Sequence, residues 1–258
     1  MIFADALLSR RLEAAEAANA RGSNGHPGSA VLDVKGGGCA IFAGEVSPLS
    51  HAVGIGLNGP VADGQIHEIE AFFRSRGARV TFDISPLADP ELIATLSERG
   101  YRIAEFNNVL VKRLSGAQTT LAPRVRRAAP DEADLWSYTV GRGFFEQPEL
   151  TAEEMEIGRA IFDMEGATCY FASTDGGQLA GAATSTIREG LATLFADTTV
   201  REFRRSGLHR ELIAARLNDA IARGCDIATA STLPGSGSQR NYERLGFQVA
   251  YTKVTMVG

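Results

Sequence analysis

Cysteine is scarce in this sequence of 258 residues, and long apolar runs are absent. The cysteines are Cys39, Cys169 and Cys225. Because they are odd in number and far apart, they offer no disulfide framework and are typical of buried thiols in a reducing cytosol. No apolar run approaches the roughly 20 residues that a membrane-spanning helix needs. The N-terminal segment carries the acidic Asp5 and resembles an amphipathic helix rather than a signal peptide. We therefore predict a cytoplasmic protein with no membrane partner.

Histidine and positive net charge are also lacking. The histidines are His26, His51, His67 and His209, and none of them has the spacing of zinc ligands, so we predict no metal site. The formal net charge is −5 at pH 7. This charge argues against a nucleic-acid partner, because nucleic-acid-binding proteins normally present a basic face. It does not exclude a local site for an anion.

The two halves of the chain end alike, which indicates a duplicated fold. Each half closes with a helical run, a Gly-aromatic pair (Gly100-Tyr101 and Gly246-Phe247) and an alternating strand. Upstream, each half has a helix that ends in Arg-Gly and a strand that follows. Similar segments in the same order at similar spacing are the signature of a repeat. We predict domains at 1–115 and 124–258, joined by the polar linker 116–123.

The second half predicts a mixed α/β domain with a central sheet flanked by helices. We expect helices at 131–142, 151–163, 207–223 and 237–245. We expect strands in TCYFAST, QLAGAATSTI, LATLFADTTV and DIATAST, and a last strand at 247–257.

The segment REFRRSGLHR, residues 201–210, concentrates positive charge in an acidic protein. It lies between a predicted strand and the start of a long helix. A helix start presents unpaired N–H groups and a partial positive charge, and Gly207 allows a ligand to approach the backbone closely. Together with the arginines, this arrangement predicts a phosphate site. The basic residues Arg124, Arg126 and Arg127 are interpreted as a solvated strand edge.

The residues from Arg204 to His209 resemble the Arg/Gln-x-x-Gly-x-Gly/Ala signature of the GNAT superfamily of N-acetyltransferases. The run from Asn241 to Phe247, NYERLGF, is similar to the family's Tyr-Glu-x-x-Gly-Phe motif. This resemblance covers residues 124–258 and implies two GNAT-like domains in tandem, the first of them degenerate. His209 departs from the signature, which has a small residue there. Its side chain would either crowd the pyrophosphate or donate a hydrogen bond to it.

The resemblance implies that acetyl-coenzyme A is the co-substrate and that no metal takes part. The implied contacts are Thr198, Thr199, Val200, Arg204, Arg205, Ser206, Gly207, Leu208, His209, Arg210 and Asn241. It implies an acceptor that is an amine of a small molecule or peptide, which attacks the thioester directly. Residues 142–165, including Phe144, Phe145 and Glu146, and parts of the first half are expected near the acceptor. The oligomeric state is left as monomer or homodimer.

By the same resemblance, Tyr242 matches the general acid that protonates the leaving thiolate. Packing of Tyr242 against Phe247 is the alternative interpretation. Asp197 is a candidate general base, with a capping or solvated carboxylate as its alternative, and Glu146 and Glu165 are weaker candidates.

The first half has only NGPVADG where the second has its arginines, and Leu96 occupies the place of Tyr242. We therefore expect no cofactor there. Two other functions stay open. One is a non-catalytic sensor or scaffold that binds acetyl-coenzyme A. The other is an NAD-binding oxidoreductase, suggested by the Gly-x-Gly-x-x-Gly pattern at 54–59 with Asp83 as the ribose ligand, although the interrupted helix start after it disfavours this.

Overall fold

The computed structural model describes residues 4–23, 28–116 and 122–258. Most of the predicted linker, at 117–121, lies outside the described residues, as does His26. The chain forms two compact units. Unit 1 is formed by the residues up to Leu110 together with 232–234 and 249–258, and unit 2 by residues 111–231 and 235–248.

Helices and strands alternate along the chain in the order of a mixed α/β protein. The helices are α1 (Ala6–Gly22), α2 (Asp63–Arg74), α3 (Pro90–Glu98), α4 (Ala133–Phe145), α5 (Ala152–Phe162), α6 (Leu208–Ala222) and α7 (Gly237–Arg244). The strands are β1 (Ala30–Asp33), β2 (Cys39–Phe42), β3 (His51–Val53), β4 (Thr81–Ile84), β5 (Arg102–Arg113), β6 (Val125–Arg127), β7 (Thr168–Ser173), β8 (Leu179–Arg188), β9 (Leu191–Thr199), β10 (Ile227–Thr232) and β11 (Gln248–Val257). The predicted α/β class is confirmed, and each predicted element of the second half is present within a few residues of its expected bounds.

Unit 1 is built around a mixed sheet with the strand order β1-β2-β3-β4-β11-β5. Strands β1, β2 and β3 pair antiparallel, and β3 runs parallel to β4. The helix α2 connects these parallel strands, and apolar side chains of α2, α3 and β4 form the core, among them Phe73, Phe82 and Leu96. Two neighbouring parallel strands need such a crossover connection, because a short hairpin cannot join them.

Unit 2 repeats this plan with the strand order β10-β9-β8-β7-β6. Strands β6 to β9 pair antiparallel, and β9 runs parallel to β10, with α6 between them. A glycine with positive φ follows the last helix of each repeat, Gly100 at 90° and Gly246 at 86°. Such a φ ends a helix at little cost only for glycine. The internal repeat that the sequence indicated is therefore present in the structure.

The last strand of the chain does not follow the predicted domain division. We predicted that the second domain runs to residue 258, but β11 pairs antiparallel with β4 of unit 1, with Val254 opposite Ile84 and Met256 opposite Phe82. Met256 is buried in the core of unit 1. An alternating strand shows which face is apolar but not which sheet it joins, so the sequence pattern could not place β11.

The cysteines Cys39, Cys169 and Cys225 are free and buried, as predicted. Among the described residues, no helix combines the length and the apolar character needed to cross a membrane.

Candidate active site

The turn after β9 presents unpaired backbone donors. It leads from Thr199 through a single 3-10 turn (Arg201–Phe203) to α6, which begins at Leu208. Gly207 is the N-cap, with φ 88°, and no side chain caps the helix. Within the described part of the chain, the N–H groups of residues 205–209 donate to no protein acceptor. An uncapped helix start with several free donors is a binding site for an anion.

A pocket of about 770 Å³ opens at this turn. Its walls are the end of β9, the turn, the first residues of α6 and one face of α7. The lining residues are Asp197, Thr198, Thr199, Phe203, Arg204, Arg205, Ser206, Gly207, Leu208, His209, Arg210, Gly237, Ser238, Arg240, Asn241 and Arg244. The hydroxyl of Thr199 is buried and has no partner among the described residues, so it is a polar group that a ligand can satisfy.

Arg204 is engaged within the protein. Its guanidinium donates to the carboxylate of Glu146 (2.7 Å), to the carbonyl of Thr199 (3.2 Å) and to the carbonyl of Gly143 (3.2 Å). The hydrogen bond from Arg204 lowers the pKa of Glu146. These contacts fasten the turn to the end of α4. Arg204 therefore lines the pocket but holds the turn in place rather than offering an unpaired charge.

Arg205 and Arg210 differ from Arg204 in this respect. Both side chains are exposed. Neither has a hydrogen-bond or ion-pair partner among the described residues. They are the cations of this turn that remain available for an anion.

The carboxylate of Asp197, in the pocket wall, contacts polar side chains of α6 and α7. The hydroxyl of Tyr242 donates to it at 3.0 Å, and Nε2 of His209 forms a short ion-pair contact with it. Arg216 lies 3.4 Å away. Nδ1 of His209 also meets the side-chain amide of Asn241 at 2.9 Å. Both ring nitrogens of His209 thus have side-chain partners, and the imidazole links β9, α6 and α7.

These contacts set the protonation of the network. Burial alone raises the pKa of Asp197, but the nearby Arg216 guanidinium and His209 lower it well below its usual range. Burial raises the pKa of the Tyr242 phenol, and the Asp197 carboxylate raises it further against the opposing effect of Arg216. Asp197 is therefore an ionised and weakly basic carboxylate, and Tyr242 is a protonated hydrogen-bond donor.

A β-bulge places Asp197 in this position. Ala182 pairs with Thr198 and Thr184 pairs with Phe195, so two residues of β9 lie opposite Ala183 alone. Ala196, inside the bulge, has φ 51°. The extra residue bends the strand and turns the Asp197 side chain toward α6 and α7.

We compared the chain with models of known protein families. Residues 133–247 match the model of the acetyltransferase (GNAT) family. We call this matched segment the GNAT domain. No curated protein sequence is significantly similar to the chain.

Solved structures extend the likeness from the GNAT domain to the whole chain. A GCN5-related N-acetyltransferase from Kribbella flavida is 20% identical with a TM-score of 0.68, and the match covers 95% of each chain. A tandem GNAT protein from the clavulanic acid biosynthesis pathway is 15% identical with a TM-score of 0.61, and the match covers 100% of this chain and 96% of the other. At these sequence identities the likeness shows the fold alone. The chain has the tandem GNAT fold, as predicted from its repeat.

The residues that we predicted to contact the cofactor lie around the pocket of the GNAT domain, except for Val200, and Arg204 differs in having a protein partner. Val200 is buried and lies outside the pocket lining, and Arg204 is paired with Glu146. Tyr242 also lies outside the lining, because its ring is buried against Phe247, with the centroids 4.9 Å apart, and its hydroxyl faces Asp197. The roles of all these residues remain predictions.

Sequence reasoning missed several residues of the GNAT domain. Arg240 and Arg244 line the pocket from α7, and their spacing of four residues in the run QRNYER was the available signal. Arg216 is fully buried, and its guanidinium donates to the carbonyls of Leu212 and Thr184. An arginine within the apolar stripe of α6 was the signal for it.

Side chains of the protein occupy part of the corresponding turn of unit 1. The carboxylate of Asp89 accepts hydrogen bonds from the N–H groups of Val61 (2.9 Å) and Glu91 (3.2 Å). The side chain of Gln65 caps α2 at Ala62. Because a carboxylate of the protein lies at this turn, the turn is unfavourable for a phosphate or for the pyrophosphate of NAD. The prediction that the first half holds no cofactor stays a prediction.

One group of potential metal ligands lies in unit 1. Ligand atoms of Glu16, His51 and Asp83 lie within 4.8 Å of one another. However, the buried ammonium of Lys253 lies 2.9 Å from Glu16 and 3.1 Å from Glu13. A lysine cation already balances the carboxylates, which disfavours a metal cation beside it. The prediction of no metal stays a prediction.

Proposed function

We propose that this protein transfers an acetyl group from acetyl-coenzyme A to an amine of a small molecule or peptide. The observation that carries the proposal is the pocket of the GNAT domain, where free N–H groups of residues 205–209 meet the unpaired Arg205 and Arg210. Free N–H groups at a helix start and unpaired guanidinium groups fit a pyrophosphate. The unpartnered hydroxyl of Thr199 in the same wall is a further group that a ligand can satisfy.

In the proposed reaction the amine attacks the carbonyl carbon, the C–N bond forms and the C–S bond breaks. The end of β9, at Thr198 and Thr199, lies along the pantetheine arm and polarises the carbonyl through a backbone N–H group. The N–H group of Val200 already donates to the carbonyl of Ala180. Tyr242 supplies the proton that the leaving thiolate takes. Asp197, His209 and Asn241 hold Tyr242 and α7 in position. The acceptor's proton leaves to solvent or to a nearby carboxylate, and Asp197 is a poor base for this step because its pKa is lowered.

A second function is favoured by one observation. The Tyr242 hydroxyl is buried and already donates to Asp197, and its raised pKa opposes proton donation. These features suit a protein that binds acetyl-coenzyme A without catalysis, as a sensor or scaffold.

Binding is tested first, by calorimetric titration of acetyl-coenzyme A with NAD as the control ligand. We expect one saturable site per chain for acetyl-coenzyme A and none for NAD. The variant R205E/R210E should lose binding, because reversed charges at the turn repel the pyrophosphate. Neither side chain has a partner among the described residues, so we expect the variant to fold. R223E is the matched control, since Arg223 is exposed at the other end of α6.

Catalysis is tested by free thiol release with a panel of amines. An enzyme should release thiol only with an amine, and Y242F should reduce the rate by about 100-fold or more while acetyl-coenzyme A still binds. Binding without amine-dependent thiol release would support the sensor. Failure of the wild type to bind acetyl-coenzyme A would reject both functions.

A further inference from the structure

The arginines of unit 2 fall into two groups by their partners. Outside the pocket, most are paired with carboxylates of the protein. Examples are Arg124 with Glu211, Arg126 with Glu132, Arg127 with Asp219 and Arg159 with Asp134. In the pocket, Arg205, Arg210, Arg240 and Arg244 form no ion pair with any described residue. Four guanidinium groups without an ion-pair partner among the described residues therefore lie in one cavity.

The unpaired arginines come from two parts of the pocket wall, the turn with the first residues of α6 and the helix α7. Arg205 and Arg210 flank the start of α6, where the free N–H groups are. Arg240 and Arg244 lie on α7, and each makes a single hydrogen bond to a neutral acceptor, the carbonyl of Gly235 (3.0 Å) and the side chain of Asn241 (3.3 Å) respectively. Arg205, Arg210 and the free N–H groups match the charge of a pyrophosphate at the turn. Arg240 and Arg244 then remain for another anionic group.

Arg240 and Arg244 can act on one group. They are four residues apart on α7, which places them about 6 Å apart along the helix axis and on the same face. Guanidinium groups at this spacing can bind a single phosphate from two sides through charge-assisted hydrogen bonds. The carboxylate of Glu243 beside them is hydrogen-bonded to Gln239 at 2.7 Å.

We propose that Arg240 and Arg244 form a subsite for a phosphomonoester, separate from the pyrophosphate at the turn. The ligand class is a nucleoside diphosphate that carries an additional phosphate on its sugar, as the 3′-phosphate of coenzyme A does. The subsite rests on the proposed function and makes it more specific. It distinguishes coenzyme A from dephospho-coenzyme A and from nucleotides that have only the diphosphate.

The test compares calorimetric affinities of coenzyme A and dephospho-coenzyme A at one fixed ionic strength, because exposed charges are screened by salt. The full-length proteins are the wild type, R240Q/R244Q and the control R223Q, which removes an arginine outside the pocket. We expect the wild type to bind coenzyme A at least about tenfold more tightly than dephospho-coenzyme A. In R240Q/R244Q the ratio should fall to about one, with the affinity for dephospho-coenzyme A unchanged, and R223Q should keep the wild-type ratio.

Equal affinities of the wild type for the two ligands would overturn the subsite and leave the proposed function intact. An equal loss of both affinities in R240Q/R244Q would also overturn it, because the arginines would then act on the pyrophosphate or on the fold. Absence of binding of either ligand to the wild type would reject the proposed function itself.

Discussion

His209 is the residue at which this chain departs from the GNAT signature. The sequence left open whether its side chain crowds a pyrophosphate or donates to it. The structure gives a third arrangement, in which the imidazole turns inward between Asp197 and Asn241. A larger side chain is tolerated there because it finds two polar partners inside the domain.

We expect His209→Ala to lower the free energy of unfolding by about 1–3 kcal/mol, because it leaves buried polar groups of Asp197 and Asn241 with fewer partners. Its affinity for acetyl-coenzyme A should change little, since both ring nitrogens already have protein partners. Urea unfolding and calorimetry measure the two effects. His67→Ala, at an exposed histidine of α2, is the control. Lost binding with unchanged stability would make His209 a ligand contact instead.

The lowered pKa of Asp197 predicts that the stability of the protein depends on pH. Its pKa lies below the ordinary 3.8 in the folded state. The stabilisation by its ionised form is therefore fully present above about pH 4 and is lost as the pH falls through the folded pKa. Asp197→Asn should cost about 3–5 kcal/mol near neutral pH, because Arg216 is left buried without its carboxylate.

The measurement is the free energy of unfolding at several pH values. Between about pH 4 and about pH 2, Asp197→Asn should lose less stability than the wild type, because one acid-titrating group is gone. Asp175→Asn, at an almost fully exposed carboxylate, should follow the wild type. Parallel pH curves for all three proteins would contradict the assignment of the lowered pKa.

At the scale of elements, the sequence did not predict the β-bulge in β9. The alternating pattern of LATLFADTTV predicted a regular strand. The observed pairing skips a residue, and Ala196 has a positive φ that is uncommon for alanine. A bulge without glycine leaves no composition signal, so only the pairing with β8 reveals it.

Ala196→Gly should therefore stabilise the protein by up to about 1 kcal/mol, because glycine adopts this φ without steric cost. Ala192→Gly, in the regular part of the same strand, should instead destabilise by about 0.5–1 kcal/mol. Thermal unfolding of both variants checks the contrast. A loss of stability in both would indicate that the bulge is absent in solution.

At the scale of the whole molecule, the last strand decides how the chain divides. β11 lies between β4 and β5 in the sheet of unit 1. It also supplies Lys253, which lies between Glu13 and Glu16 of α1. Burial raises the pKa of Glu13 to about 7, and Lys253 opposes that rise. Unit 1 without β11 would have a gap in its sheet and a buried carboxylate without its cation.

We therefore expect residues 1–115 alone to lack a cooperative thermal transition. The same fragment joined by a flexible linker to residues 248–258 should regain one, because the missing strand and Lys253 are restored. Circular dichroism on heating compares the two proteins. A linker fusion with Lys253→Met is the matched control for the ion pair. Cooperative unfolding of residues 1–115 alone would contradict the conclusion that unit 1 needs β11.

The sequence by itself determined the features that depend on local order. These are the repeat, the element sequence, the free helix start at Gly207 and the motif from Asn241 to Phe247, since helix periodicity, glycine φ and residue spacing are written in neighbouring positions. Tertiary structure decided what depends on pairing across the chain. Only folding could place β11 beside β4, direct His209 and Tyr242 to Asp197, and pair Arg204 with Glu146, because register, side-chain direction and charge partners are set by residues distant in sequence.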